Sequence, residues 1–309
     1  MIAADAESDA DADAGPANGC GLRKRTRDAG PAMRDKRARR EMTEKKMDKI
    51  QLEGIFNARD MGGIPVGGGK KVKSGRLIRS DALRDLTAED ETILRDEYGL
   101  ARVIDLRTEK EIWEKPDPEI DGVKAYHIPL IKGGPAAHKV EPEKSMAQIF
   151  KESIEELNYD AGGAMKRMYV NLLSDEFSQN AIRQCFDVFL GCEEGATLFH
   201  CTAGKDRTGL IAILFLDTFG ADREVIIRDY MSTNEHLKPQ TEWIANEVAK
   251  TDDDPRLIEQ VNVMNTVYPE YADAIFEKID SFGGSRKYLT DVLGFSEEQL
   301  AELERLYLE

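Results

Sequence analysis

From Ile50 onward the chain alternates short apolar runs with clusters of turn formers, whereas the stretch before it holds almost no large apolar side chain. Two neighbouring runs are the clearest. Ala196 to Phe199 has the length and side-chain types of a buried strand, and Leu210 to Phe219, ended by Gly220, has the length of a buried helix. Between them stands His200-Cys201-Thr202-Ala203-Gly204-Lys205-Asp206-Arg207-Thr208-Gly209, so a tight loop joins a strand to a helix N-terminus. Further strands are predicted over Ala101–Leu106 and Ala125–Leu130, and a hairpin around Gly67-Gly68-Gly69. Helices are predicted over Asp85–Tyr98, with Thr87 as N-cap and Leu86, Ile93 and Leu94 inward, and over Ser145–Leu157, Met165–Leu173 and Gln179–Leu190. Another starts at Asp222, and the capping box Ser296-Glu297-Glu298-Gln299 opens the last.

Composition narrows the setting. A chain of 309 residues with 41% hydrophobic content suits one large domain or two small ones. The longest unbroken apolar run, Leu210 to Leu216, is far below the roughly 18 residues of a membrane span, and the N-terminus lacks an apolar signal segment. A soluble, cytoplasmic protein is expected. Cys20, Cys185, Cys192 and Cys201 are too few for a disulfide framework, and Cys185 and Cys192 read as packing residues. The four histidines form no metal-ligand pattern with them, so no metal is expected.

Residues 1–47 are read as a disordered tail, acidic and then basic, ahead of a folded body at 48–309. The tail holds 11 Lys and Arg against 9 Asp and Glu, which leaves about −18 on the body. Such a body repels nucleic acid and anionic membranes. No nucleic-acid partner is expected, and only the basic tail is suited to an anionic surface.

The loop carries the chemistry. A helix N-terminus offers unpaired N–H groups and about half a positive charge, and Gly204 lets the backbone of Thr202, Ala203, Gly204 and Lys205 curl into an anion-binding nest. Beside cations at such a site the Cys201 thiol ionises and becomes a nucleophile. The planar fork of Arg207 suits two phosphate oxygens, Thr208 is placed to donate its hydroxyl to the thiolate, and His200 is placed to hold the loop or to assist ionisation from behind.

This stretch resembles the signature of cysteine-dependent phosphatases, and specifically a bacterial and fungal tyrosine/serine phosphatase family with Lys and Asp inside the loop. Other segments are similar to that family's motifs: Asn57-Ala58-Arg59-Asp60-Met61-Gly62-Gly63, Arg79-Ser80-Asp81, Asp105-Leu106-Arg107-Thr108-Glu109-Lys110-Glu111, Asp229-Tyr230-Met231-Ser232-Thr233-Asn234 and Ser281 to Leu289. The resemblance runs from about Leu52 to the C-terminus. It implies an α/β fold of the protein-tyrosine-phosphatase type, a twisted, mainly parallel sheet flanked by helices, with a helical lid inserted at about 131–163. It also implies a phosphocysteine intermediate on Cys201, Arg207 on the phosphate, no cofactor, and a phosphorylated protein or phosphoinositide as substrate. Arg59 and Asp105 are expected to support the site, and Arg79 or Asp81 to approach the phosphate. The general acid is left among Asp206, Asp105 and Asp160, with Asp206 also readable as a helix cap. Lys205 adds a second cation, which favours polyanionic substrates. An inactive phosphate-binding module and a sulfurtransferase are the rival readings.

Overall fold

Residues 49–133 and 144–309 are described by a computed structural model. The expected tail and part of the expected lid lie outside them.

Five strands form one sheet: β1 (Arg59–Asp60), β2 (Leu77–Ser80), β3 (Leu100–Asp105), β4 (Lys124–His127) and β5 (Ala196–His200), in the order β1-β2-β5-β3-β4. Only β1 is antiparallel, against β2. The central three run parallel, with Ser80 opposite His200 and Asp105 opposite His200 on the other side. All three therefore end together at the loop after β5. Alternate residues face opposite cores: Leu77, Ile104 and Phe199 enter one, and Ile78, Val103 and Leu198 enter the other.

Eleven helices of interest follow in chain order. They are α1 (Ala88–Thr92), α2 (Glu109–Glu114), α3 (Met146–Glu156), α4 (Ala161–Ser174), α5 (Glu176–Leu190) and α6 (Asp206–Thr218), then α7 (Arg223–His236), α8 (Lys238–Ala249), α9 (Pro255–Asn265), α10 (Pro269–Ser281) and α11 (Glu297–Tyr307). Helix α6 is apolar on every side and buried along Leu210–Leu216, as expected of a helix enclosed by others. Phe215 on α6 meets Phe186 and Phe189 of α5 and Tyr307 of α11, with ring centroids 5.7 to 6.4 Å apart.

The predicted elements exist, and several boundaries move. The helix expected from Asp85 starts at Ala88, because Thr87 closes a capping box with Asp90, and its last turn over Ile93–Glu97 is π-helical. The hairpin at Gly67–Gly69 is a 3₁₀ turn, flanked by an isolated bridge between Pro65 and Lys71. The helix expected from Met165 begins at Ala161, where the Asp160 side chain accepts the Gly163 N–H, so Gly162 and Gly163 lie in its first turn. Asp175 likewise starts α5 ahead of Gln179.

Helix α3 and the first turn of α4 fall within the expected lid at 131–163, and α4 beyond that turn packs into the main core through Tyr169, Leu172 and Leu173. Helix α3 instead builds a small core of its own with α8 and α9, from Ala147, Ile154, Val248, Leu257 and Val261.

Candidate active site

The loop after β5 is shaped from behind. The Thr202 carbonyl accepts from the Ala82 N–H at 3.2 Å. Asn57 Nδ2 donates to the carbonyls of Ala203 and Gly204, at 2.9 and 3.1 Å, and Arg79 Nη2 also donates to Gly204 at 3.1 Å. In a planar trans peptide the carbonyl and the following N–H point in opposite directions. Tying back three successive carbonyls therefore turns the N–H groups of Ala203, Gly204 and Lys205 to the other side, as an anion-binding nest requires. Gly204 sits at φ +65°, and a Cβ there would lie 2.2 Å from the Ser80 carbonyl oxygen, so only glycine lets β2 and the loop approach this closely.

Those supports are themselves held in a buried network. Arg59 Nε and Arg79 Nη1 both bind Asp229, at 2.9 and 2.5 Å, and Arg59 also donates to Asn57 Oδ1 at 2.6 Å. Burial pushes the Asp229 carboxyl up, but the two arginines outweigh it and hold the pKa at about 2. Burial and the neighbouring Arg79 bring Arg59 down to about 10. Asp81 accepts from the N–H groups of Phe56 and Asn57, and so anchors the turn that presents Asn57. Neither Arg79 nor Asp81 is turned toward open solvent: both are buried beneath the loop, where Arg79 grips backbone.

Cys201 is 2% exposed at the head of the loop. Burial raises its pKa, but the Arg207 guanidinium and hydrogen bonds from the Thr208 hydroxyl and amide outweigh it, and the thiol lies below its ordinary value. The buried Thr208 hydroxyl makes no hydrogen bond of normal geometry among the described residues, which leaves it available to the thiolate. Arg207 is gripped end-on by Glu111, whose two carboxylate oxygens lie 2.7 Å from Nη1 and Nη2. Burial also raises the Glu111 carboxyl, yet Arg207 and the hydroxyl of Thr202 hold it far below the usual range. Its Oε2 additionally receives the Thr108 N–H at 2.9 Å, so one carboxylate closes the capping box of α2 and aligns Arg207.

His200 is fully buried under the loop, with Nδ1 3.2 Å from the Cys201 carbonyl and Nε2 3.2 Å from Asp117. Burial opposes its protonation, but Asp117 and Asp105 more than compensate and raise its pKa. Asp105 is engaged by Arg107 at 2.7 Å, and the same guanidinium reaches Asp117 at 2.7 Å. These groups place metal-ligand atoms within 4.8 Å of one another, but Arg107 bridges both carboxylates and already supplies the neutralising charge.

The three carboxylates considered as acid occupy different surroundings. Asp105 is the partner of Arg107 below the loop, and Asp160 caps α4 and pairs with Arg167 at 3.1 Å. Asp206 is the first residue of α6, its side chain 22% exposed, with Oδ1 2.7 Å from the Tyr169 hydroxyl and Oδ2 3.5 Å from Lys205 Nζ. It caps no N–H of its own helix. Lys205 is 4% exposed, and its ammonium donates to the Met264 carbonyl at the end of α9.

Sequence reading did not single out Glu111, Asn57, Asp229 or Tyr169. The first three stand inside motifs that were noticed, and the Thr108-x-x-Glu111 spacing is itself a capping-box signal. Tyr169 carries no such signal, because a tyrosine on the inner face of a helix reads as ordinary core.

Comparison with known proteins agrees with this geometry. Residues 50–309 match the model of the tyrosine phosphatase family. A tyrosine-protein phosphatase, by name, of Cupriavidus necator is 28% identical over 84% of this chain and 88% of its own length. The triple specificity protein phosphatase PtpB of Mycobacterium tuberculosis is 27% identical over 78% of this chain and 92% of its own. A tyrosine-protein phosphatase of Nostoc commune is 32% identical over 55% of this chain and 52% of its own. No helix among the described residues is long and apolar enough to cross a membrane. With a match across the whole of its sheet and the loop at its centre, the chain belongs to the tyrosine phosphatase family and is a phosphoric monoester hydrolase.

Proposed function

We propose that Cys201 is the nucleophile, Arg207 the phosphate fork and Asp206 the general acid of this phosphatase. The observation that carries the reading is a buried, acidified thiol beside a loop whose carbonyls are all tied back and whose arginine is held in register by Glu111.

The Cys201 thiolate attacks phosphorus, forming the S–P bond as the bond to the leaving oxygen breaks. Asp206 gives its proton to that oxygen, and the loop N–H groups with Arg207 hold the three equatorial oxygens. Water then attacks the phosphocysteine, Asp206 takes the proton, and the thiolate departs from phosphorus. The substrates are phosphotyrosine proteins first. Phosphoserine or phosphothreonine and phosphoinositides are further substrates, a breadth supported by the similarity to a triple specificity phosphatase. Lys205, drawn from Met264 toward a second phosphate, would serve the phosphoinositides.

Phosphate release from a phosphotyrosine peptide and from a phosphatidylinositol phosphate tests this. Wild type should turn over both, Cys201→Ser neither, and Lys205→Ala should lose more on the lipid. Equal losses on both substrates would remove Lys205 as a selectivity element, and peptide turnover by Cys201→Ser would remove the nucleophile.

A further inference from the structure

The catalytic loop does not orient Asp206 alone. Tyr169, fully buried on α4, donates its hydroxyl to Asp206 Oδ1 at 2.7 Å, and its oxygen lies 2.6 Å from the hydroxyl of Tyr230 on α7. A phenol has one proton to give. Since that of Tyr169 goes to the carboxylate, Tyr230 is the donor to Tyr169, and the chain runs in one direction, Tyr230 to Tyr169 to Asp206. The rings meet edge to face with centroids 6.5 Å apart, and Gly209 lets Tyr230 in, since a Cβ there would stand 2.9 Å from its ring.

We infer that Tyr169 is a positioning residue for the acid: its hydrogen bond pins Oδ1, while Lys205 stands 3.5 Å from Oδ2, and so fixes the orientation in which the carboxyl meets the leaving oxygen. When Asp206 becomes a carboxylate, the same bond becomes charge-assisted and stronger. This rests on the reading of Asp206 as the acid. The charged and titratable groups facing Asp206 are Cys201, Lys205 and Arg207 from its own loop, Tyr169 from α4, Tyr230 from α7 and Tyr271 from α10. Burial pushes Tyr169 and Tyr230 well above the usual phenol range, so both stay protonated donors throughout the working pH.

The test compares Tyr169→Phe, Tyr230→Phe, Asp206→Asn and the double variant Tyr169→Phe/Asp206→Asn on phenyl phosphate and on an aryl phosphate with a strongly acidic phenol. Tyr169→Phe should lose about tenfold in kcat on phenyl phosphate, part of the roughly 10²-fold or more that a positioned acid supplies, and little on the activated ester. Tyr230→Phe, which leaves the Tyr169 donor in place, should lose less in the same pattern. The double variant should be no slower than Asp206→Asn alone, because both act through one group. Circular dichroism and thermal unfolding of each variant verify the fold. If Asp206→Asn shows the leaving-group pattern and Tyr169→Phe slows both esters equally, or if their losses multiply, this inference is overturned while the acid stands. If Asp206→Asn slows both esters alike, the acid assignment falls and takes this inference with it.

Discussion

Arg207 shows how one side chain is prepared for its task. A guanidinium on a flexible stem would lose rotamer freedom on meeting phosphate, and Glu111 removes that cost in advance by holding both terminal nitrogens. Glu111→Gln keeps the shape and loses the charge, so kcat/KM should fall by about tenfold. Arg207→Lys keeps the charge and loses the fork, so kcat should fall by about 10². Steady-state kinetics on a phosphotyrosine peptide ranks the two, and a larger loss for Glu111→Gln would reverse the proposed division of labour. The sign of the pH effect follows from the thiol. Its folded pKa is lowered, so the reactive thiolate persists as pH falls below about 8.5, the value of a free thiol. Because Arg207 is the leading cause that lowers it, Arg207→Ala should move the thiolate's ultraviolet titration upward. An unmoved titration would assign the acidity to the helix and Thr208.

At the scale of elements, the loop is a joint product of β5, β2 and the turn at Asn57. Gly204→Ala places a methyl 2.2 Å from the Ser80 carbonyl in a left-handed conformation. Strain of that kind costs at least about 1 to 2 kcal/mol before the clash is counted. The urea midpoint and the turnover should therefore fall together in that variant. Gly209→Ala meets side chains rather than backbone, two ring carbons of Tyr230 at 2.9 and 3.1 Å and Arg79 Nη2 at 3.5 Å, and should be milder. Full activity in Gly204→Ala would show that the loop can sit away from β2.

The strand, loop and helix around Cys201 were legible in the sequence because three local signals coincide there: an apolar run of strand length, a glycine-bearing loop and an apolar run of helix length. The N-cap at Thr87 and the capping box at Ser296 were equally legible, since they act within four residues. What escaped was long-range. The pairing of Arg59 and Arg79 with Asp229 spans 170 and 150 positions, and no local pattern encodes it. The small core of α3 with α8 and α9 escaped likewise, because segments about a hundred residues apart share it.

At the scale of the whole molecule, the buried pair of arginines on Asp229 ties strand β1, strand β2 and helix α7 to one carboxylate. Its folded pKa of about 2 lies below the roughly 3.9 of an unfolded aspartate. Such a group contributes stability that is present above about pH 4 and is lost as pH falls toward 2. The thermal midpoint should drop over that window in wild type, and Asp229→Asn should start lower and lose less of it. An identical acid slope in both would show that other carboxylates carry the acid sensitivity.

The central claim is that phosphorus passes through the sulfur of Cys201. Wild-type enzyme turning over a phosphotyrosine peptide should be quenched within a turnover, digested, and analysed by mass for the peptide that contains Cys201. The account predicts a phosphoryl group on that cysteine, absent in Cys201→Ser, whose phosphate release stays below about a thousandth of wild type. A phosphoryl group on another residue, or undiminished phosphate release from Cys201→Ser, would contradict it.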